Sequence, residues 1–272
     1  MASSSKCPRF SMRAPGHECE MKVTCWACIV LLVFSWVGCE SHTKGPMHQR
    51  STSASVQPRQ VLEKVTEGDS YQYLLYLPEG YGREKRLCPI ILFLHGIGNR
   101  GDDLEKVKTS GIPKVVERDK RFDFVLVAPQ CPKRQWWSSE LLIKLLDEVA
   151  TKYRVDTSRI YLTGLSMGGF GTWSLGCAYP ERFAAIAPIC GGGEPDKACK
   201  LKDVPVWAFH GARDETVPLR KSQEMVEAVR ACGGNAKLTV YPEAGHDSWT
   251  QTYDSQELYD WFLKHRRSSR AE

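Results

Sequence analysis

The stretch RIYLTGLSMGG, residues 159–169, decides the fold of this chain. Its first five residues are mostly apolar, which predicts a strand buried on both faces. The pattern G-x-S-x-G follows, from Gly164 to Gly168, and a helical pattern then continues to Tyr179. Between a buried strand and a helix, this pattern is typical of a nucleophile elbow, where a serine (here Ser166) projects from a turn too crowded for side chains. The alternative is an ordinary glycine-rich turn.

Strands and helices alternate on both sides of this stretch, which predicts an α/β fold with a mostly parallel central sheet and helices on both faces. Apolar runs and helical periods define the other segments. Strands are predicted at 71–77, 89–94, 122–128, 183–189, 204–209 and 236–241, and helices at 140–153, 219–232 and 253–264. Residues 102–119 fit a helix that is interrupted at Gly111 and Pro113.

A serine nucleophile needs a base, because a free hydroxyl group reacts weakly. Outside the N-terminal segments and the C-terminal tail, the histidines are His95, His210 and His246. His246 lies in the loop after the last predicted strand, and loops at the carboxyl ends of strands form the active face of an open α/β sheet. We therefore assign His246 as the base. The alternative role is that of a hydrogen-bonded loop histidine.

The acid that orients this histidine is expected between the serine and the histidine in the chain. Asp214 follows the predicted strand at 204–209 and leaves room for a strand–helix unit on each side. Glu215 is the local alternative, and Asp196 and Asp203 are more remote ones.

Two backbone N–H groups are expected to bind the developing oxyanion. One is the amide of Met167, directly after the serine. The other belongs to the loop after the strand at 89–94, where we assign the amide of Ile97, with Gly96 as the alternative.

Three tryptophans lie in loops that follow predicted strands. Trp136 and Trp137 follow the end of a predicted strand, and Trp249 lies three residues after His246. They either form walls of a substrate pocket or pack in the core.

The motifs together resemble those of bacterial esterase and peptidase-like α/β-hydrolases related to polyhydroxybutyrate depolymerases, feruloyl esterases and dienelactone hydrolases. The resemblance covers about residues 62–265 and rests on six motifs. They are LHGIGNRGDD at 94–103, APQCP at 128–132, QWW at 135–137, GLSMGG at 164–169, FHGARDETVP at 209–218 and EAGHDSW at 243–249. The resemblance implies the α/β-hydrolase fold, a Ser166–His246–Asp214 triad, and activity without a cofactor or metal on esters, sometimes on amides, that are small or polymer-derived.

The leading hypothesis is therefore a serine hydrolase that cleaves carboxylic esters through an acyl-enzyme. A serine peptidase of the prolyl-oligopeptidase type is the alternative, since it would use the same residues. The sequence shows no propeller domain, which favours esters over gated peptides. A catalytically dead binding protein is a third hypothesis, but such proteins usually lack a triad residue.

The N-terminal residues 1–39 predict an export signal. An uncharged apolar run from Val23 to Cys39 follows Met21-Lys22, which is typical of a signal peptide and suggests that translation begins at Met21. Gly38-Cys39 resembles a bacterial lipobox, although Trp36 stands where such boxes carry an aliphatic residue. The prediction is a periplasmic or membrane-anchored lipoprotein, otherwise a secreted protein. An ordinary cleaved signal and a short uncleaved anchor are the alternatives.

The polar residues 40–60 predict a flexible tether, and residues 61–267 a single catalytic domain. The net charge of +5 is mild and partly located in the tails, so we expect no nucleic-acid surface. Membrane contact is expected only through a lipid anchor on the N-terminus.

Six of the eleven cysteines follow the tether. An exported domain permits disulfides, and Cys190 and Cys199 flank a glycine-rich loop, so we expect them to pair. Free thiols at both positions are the alternative.

Overall fold

A computed structural model describes residues 70–82, 87–118 and 122–267, together with the backbone of residues 59–63. The predicted signal segment that ends at Cys39 and nearly all of the predicted tether lie outside these residues. Within the described part, no helix is both long enough and apolar enough to cross a membrane.

The core of the fold is one eight-stranded sheet with the order β1-β2-β4-β3-β5-β6-β7-β8. The strands are β1 (Arg59–Glu63), β2 (Tyr73–Leu77), β3 (Cys88–Leu94), β4 (Val125–Pro129), β5 (Val155–Leu165), β6 (Ala185–Ile189), β7 (Val206–Gly211) and β8 (Ala236–Tyr241). The strand pairs β1–β2 and β2–β4 are antiparallel, and all other neighbours are parallel. The predicted mostly parallel sheet is confirmed. The sequence pattern missed β1, which begins inside the segment assigned to the tether.

In the described part of the chain, four α-helices connect strands and two more follow β8. They are α1 (Gly111–Arg118), α2 (Ser139–Lys152), α3 (Met167–Ala178), α4 (Arg220–Ala231), α5 (Trp249–Asp254) and α6 (Gln256–Leu263). Short 3₁₀ helices cover Ile97–Asn99, Leu104–Thr109, Pro180–Arg182 and Pro195–Leu201.

Two helix predictions need correction. The segment 102–119 is divided before Gly111, where the 3₁₀ helix Leu104–Thr109 has ended and α1 begins with Gly111 at a φ of +62°. Pro113 does not interrupt α1, because proline is tolerated in a first turn, where amides lack intrahelical acceptors. The predicted last helix is divided at Ser255, whose side chain accepts a hydrogen bond from the amide of Glu257 and so caps α6.

Hydrophobic cores cover both faces of the sheet, because successive strand residues point to opposite faces. In β3, Leu92 packs with the core on the side of α2, α3 and α4, whereas its neighbour Phe93 packs with the core on the side of α1, α5 and α6. These layers hold the carboxyl ends of the parallel strands at one end of the sheet. The loops after β3, β5, β7 and β8 lie at this end.

The expected Cys190–Cys199 disulfide is wrong. Cys199 is bonded to Cys232, which follows α4, and Cys190 is a free buried thiol. The reason is the direction of the Cys190 side chain. Cys190 directly follows β6, and its sulfur lies beneath Ser166, 3.3 Å from the Ser166 amide nitrogen. The disulfide therefore fastens the 3₁₀ segment Pro195–Leu201 to the end of α4.

Candidate active site

Ser166 occupies a strained turn between β5 and α3. Its φ of +54° and ψ of −116° lie in a region that L-residues rarely adopt, and such a conformation costs about 1–3 kcal/mol. A Cβ atom at Gly164 would lie 2.4 Å from the carbonyl oxygen of Gly168, and one at Gly168 would lie 1.9 Å from the carbonyl oxygen of Leu94. Only glycine fits at both positions, so the G-x-S-x-G pattern follows from backbone crowding.

The turn places Ser166 beside His246. The two atoms Ser166 Oγ and His246 Nε2 lie 2.9 Å apart. On the other side of the ring, His246 Nδ1 lies 2.8 Å from Asp214 Oδ2. The structure thus brings together three residues from the loops after β5, β7 and β8.

The Asp214 carboxylate is buried and held in one orientation. Its Oδ1 accepts hydrogen bonds from the amides of Thr216, at 2.9 Å, and Val217, at 2.8 Å. Its other oxygen, Oδ2, faces His246. The sequence alternatives are excluded from this place, since the side chains of Glu215, Asp196 and Asp203 are exposed.

A second histidine, His210, contacts the same carboxylate. His210 ends β7, and its Nε2 lies 3.2 Å from Asp214 Oδ2 and 2.8 Å from the carbonyl oxygen of Val217. A carbonyl oxygen can only accept, so Nε2 carries the hydrogen. Burial lowers the pKa of His210, although the bond to the Val217 carbonyl and the charge of Asp214 oppose this effect. A neutral His210 therefore braces the turn that holds Asp214.

From the sequence, His210 is only a candidate base. Its Nδ1 lies 2.8 Å from the hydroxyl of Ser222, which also lies 3.0 Å from the carbonyl oxygen of Gly191. Both ring nitrogens are thus engaged inside the protein. The His-Gly pair at a strand end predicted the position of His210. Its role depends on contacts with Val217 and Ser222, 7 and 12 positions further along the chain, which the sequence pattern does not show.

The backbone amides of Ile97 and Met167 are both without an acceptor among the described residues. Met167 is the first residue of α3, where amides have no intrahelical partner and the helix dipole favours negative charge. Ile97 is 53% exposed at the opening of the site. The alternative, Gly96, is packed so closely on the elbow that a Cβ atom there would lie 2.8 Å from Leu165 Cδ1.

His95 fixes the loop that carries Ile97. Its Nδ1 donates to the carbonyl oxygen of Gly96 at 2.6 Å, and its Nε2 accepts from the amide of Cys131 at 3.0 Å. Since a charged ring has no nitrogen that can accept, the bond from Cys131 requires the neutral ring with its hydrogen on Nδ1. Burial lowers the pKa of His95 to about 4, which agrees with that state.

Cys190 forms the floor beneath Ser166. It is fully buried, and burial raises the pKa of its thiol to about 12. Its sulfur lies within 4.8 Å of ligand-type atoms of Asp214 and His246. A metal ligand must be a thiolate, and these two side chains already bind each other, so the donor set does not suit a metal ion.

The three tryptophans have different surroundings. Trp136 is 61% exposed and meets Phe170 edge to face, with ring centroids 6.4 Å apart. Trp137 is half-buried and donates from Nε1 to the carbonyl oxygen of His95 at 3.4 Å. Both line a cavity of about 480 Å³ beside α3. Trp249 lies outside that cavity and packs edge to face on His246, at 5.3 Å between centroids.

A mostly parallel sheet that ends in a strained serine turn, with a carboxylate and a histidine supplied by later loops, is the plan of α/β-hydrolases. The fold and this site define that class. Comparison with known proteins makes the assignment narrower. Residues 65–269 match the model of the family described as "Putative esterase", and the chain belongs to this esterase family.

Individual relatives agree with the family. "Putative carboxymethylenebutenolidase" of Yersinia pestis is 29% identical over 43% of this chain and 51% of its own length. "Probable feruloyl esterase C" of Aspergillus terreus is 26% identical over 57% of this chain and 58% of its own length. The chain thus spans only 51% and 58% of these two curated relatives.

A solved structure described as "Crystal Structure of a Thermostable Esterase" is 32% identical to this chain, with a TM-score of 0.66. The match covers 78% of this chain and 64% of that one. The family resemblance expected from the sequence motifs is confirmed.

Proposed function

We propose that this protein hydrolyses carboxylic esters through an acyl-enzyme formed on Ser166. The observation that carries the proposal is the pair of hydrogen bonds around His246, 2.9 Å to Ser166 Oγ and 2.8 Å to Asp214 Oδ2. These distances are those of a nucleophile, its base and the group that orients the base. Membership of an esterase family and the esterase named among the relatives support the same reaction.

The first half of the reaction forms the acyl-enzyme. Ser166 Oγ attacks the ester carbonyl carbon while His246 Nε2 takes the hydroxyl proton, and Asp214 stabilises the resulting imidazolium. The carbonyl oxygen becomes an oxyanion bound by the amides of Ile97 and Met167. The bond from carbon to the alcohol oxygen then breaks, and His246 gives its proton to the departing alcohol.

The second half releases the acid. A water molecule attacks the acyl carbon while His246 takes its proton, and the same two amides bind the second oxyanion. When the bond to Ser166 Oγ breaks, His246 returns the proton to the serine. An amine is a poorer leaving group than an alcohol, so cleavage of an amide would depend more on the proton that His246 donates. Nothing in the described part of the site favours an amide over an ester.

The test uses the purified full chain with p-nitrophenyl acetate and a fluorophosphonate probe. We expect hydrolysis of the ester and labelling of Ser166, with both lost in Ser166→Ala by at least about a thousandfold. Ser139→Ala, at the start of α2 and away from the site, is the matched control and should keep full activity. Full activity of Ser166→Ala would refute the proposal, and turnover of aminoacyl anilides in preference to esters would establish the peptidase instead.

We also propose, from the sequence of the N-terminus, that the protein is exported and lipidated at Cys39. The support is the uncharged run that ends in Gly38-Cys39. In cells fed a clickable fatty acid, the wild-type protein should be labelled and found in membranes, whereas Cys39→Ser should be unlabelled. An unlabelled wild-type protein cleaved elsewhere would refute lipidation and leave export.

A further inference from the structure

The cavity of about 480 Å³ beside α3 forms a groove that no step of the proposed reaction uses. Its walls come from the Trp136–Trp137 loop, one side of α3, the glycine-rich loop after β6 and the 3₁₀ segment Pro195–Leu201. We call it the α3 groove.

The α3 groove begins next to the nucleophile and runs away from it. Phe170, at its near end, lies one helical turn beyond Ser166, and its amide donates to the Ser166 carbonyl at 3.0 Å. Cys177 and Ala178 mark its far end. At a rise of about 1.5 Å per residue, the groove extends about 12 Å along the axis of α3 from Phe170 to Ala178.

The near half of the groove is aromatic. The exposed ring of Trp136 faces Phe170, and a Cβ atom at Gly171 would lie 2.8 Å from the ring of Trp137. The glycine-rich loop closes this half from the other side, because a Cβ atom at Gly192 would lie 3.2 Å from Phe170 Cε1. These glycines are therefore required by close packing. Flat apolar groups fit such walls best.

The far half carries a net positive charge. Lys197, Lys200 and Glu194 line it, and Lys197 pairs with Glu194 at 2.8 Å. Lys200 forms no ion pair with any described residue. Burial raises the pKa of the Cys177 thiol to about 11. The charge of Glu194 also raises this pKa, whereas the charges of Lys200 and Lys197 lower it, so all three charges act on this thiol.

Two further features suit a ligand at this end. Trp173 lies in the wall, and its buried indole N–H has no acceptor within the described part of the chain. Cys199, between the two lysines, is bonded to Cys232, so the charged rim is fastened to the end of α4. A rim held in this way keeps its charges in place before a ligand arrives.

We propose that the α3 groove selects esters with an aromatic arm that ends in a carboxylate. The aromatic part lies against the rings of Trp136 and Phe170, next to the scissile bond, and the carboxylate reaches Lys197 and Lys200 at the far end. This inference rests on the proposed ester hydrolysis, and it names the substrate class of that site.

The test compares matched substrates that differ only at the far end of the arm. Two p-nitrophenyl arylacetates carry a short para-linked chain that ends in a carboxylate in one and in a neutral carboxamide in the other. A second pair, acetate esters with the same arm in the alcohol, covers the opposite orientation and is followed by acid release. The measured quantity is the ratio of kcat/KM for the carboxylate to kcat/KM for the carboxamide.

We expect the carboxylate to be preferred about three- to tenfold in one of the two pairs, the size of a partly exposed charge contact, and the preference to fall as salt is raised. The double variant Lys197→Gln/Lys200→Gln should abolish the preference and leave kcat/KM for the carboxamide within about twofold. Lys202→Gln removes an exposed lysine next to the groove and is the matched control, which should keep the full preference.

The outcomes separate this inference from the proposed function. If p-nitrophenyl acetate is not hydrolysed, the proposed ester hydrolysis fails. If it is hydrolysed but both pairs react equally, or if the preference survives in the double variant, only the assignment of the α3 groove is overturned.

Discussion

At the residue scale, Asp214 and Glu215 are neighbours with opposite surroundings. Asp214 is buried and bonded to two amides and to His246, whereas Glu215 is exposed. Asp214→Asn should lower kcat about 10³- to 10⁴-fold, because it disturbs the tautomer and the charge stabilisation of His246. The steady-state rate with p-nitrophenyl acetate measures this loss. Glu215→Gln is the control and should remain within about twofold of wild type; a silent Asp214→Asn with an inactive Glu215→Gln would reverse the assignment.

His210 should act as a positioning residue through Asp214. Its Nε2 bonds the Val217 carbonyl, and the amide of Val217 bonds Asp214 Oδ1. His210→Gln should lower kcat by about ten- to a hundredfold, with little change in KM, because a small displacement of the acid is transmitted to the base. The pH dependence of kcat should also shift, since His210 and His246 both contact Asp214 Oδ2.

The control for His210→Gln is His265→Gln, which removes another partly buried histidine near the C-terminus. It should leave kcat and the pH profile unchanged. If His210→Gln altered only the free energy of unfolding, with the rate and pH profile of the folded fraction intact, His210 would be a structural residue alone.

The sequence was sufficient to assign a role to some of these residues and not to others. Ser166, Asp214 and His246 could be assigned because each sits in a loop after a recognisable strand, and chain order fixes which loop supplies which group. Cys190 could not, since its neighbours come from the far end of the chain, and spacing alone suggested a wrong partner. Whether two cysteines pair depends on the distance and direction of their side chains.

At the scale of elements, the buried strands were the most predictable part. Apolar runs located β3 to β7 within a few residues, because both faces of a central strand meet apolar layers. The edge strand β1 was missed, since an edge strand needs no apolar run. The start of α1 was also missed, because the conformation of Gly111 depends on close packing against the ring of Phe93.

The Cys199–Cys232 disulfide should stabilise the far wall of the α3 groove. It closes a loop with a sequence separation of 33 residues. In the loop-entropy model such a cross-link contributes about 3–4 kcal/mol to the free energy of unfolding. Cys199→Ser/Cys232→Ser should lower that free energy in urea titrations, and should raise KM for the carboxylate-armed ester more than KM for p-nitrophenyl acetate.

Reduction provides the matched comparison for this disulfide. A reductant should affect the wild-type protein in the same direction as the double variant, and should have no further effect on the double variant itself. If the double variant and wild type unfold at the same urea concentration, the bond is absent or without energetic consequence.

At the scale of the whole molecule, acid should weaken the fold through its buried histidines. His95 and His210 are both fully buried, and each has a lowered pKa because burial disfavours the charged ring. Unfolding exposes them to water, where a histidine has a pKa of about 6.5. Below that pH the unfolded chain therefore binds protons that the folded chain does not.

The sign of the effect follows from this difference in bound protons. Since the unfolded state binds more protons between pH 6.5 and about 4, the free energy of unfolding falls as pH is lowered through that window. The shift of His95 alone corresponds to about 3 kcal/mol. The lowered pKa of Asp156 acts in a separate window, because it takes effect only as pH falls below the ordinary aspartate value of 3.8.

Urea unfolding at pH 7, 5.5 and 4.5 should thus show a stability that already declines between pH 7 and 5.5, where exposed carboxylates are still almost fully ionised. Imidazole NMR provides the residue-level check: His95 should keep its neutral ring at pH 5, where an exposed histidine is charged. An unchanged free energy of unfolding across this range, or a His95 ring that titrates near 6.5, would contradict the prediction. Protonation of His95 would also break the bond that its Nε2 accepts from the Cys131 amide, while Nδ1 would still donate to the Gly96 carbonyl, so acid should loosen the loop that presents Ile97 on its Cys131 side.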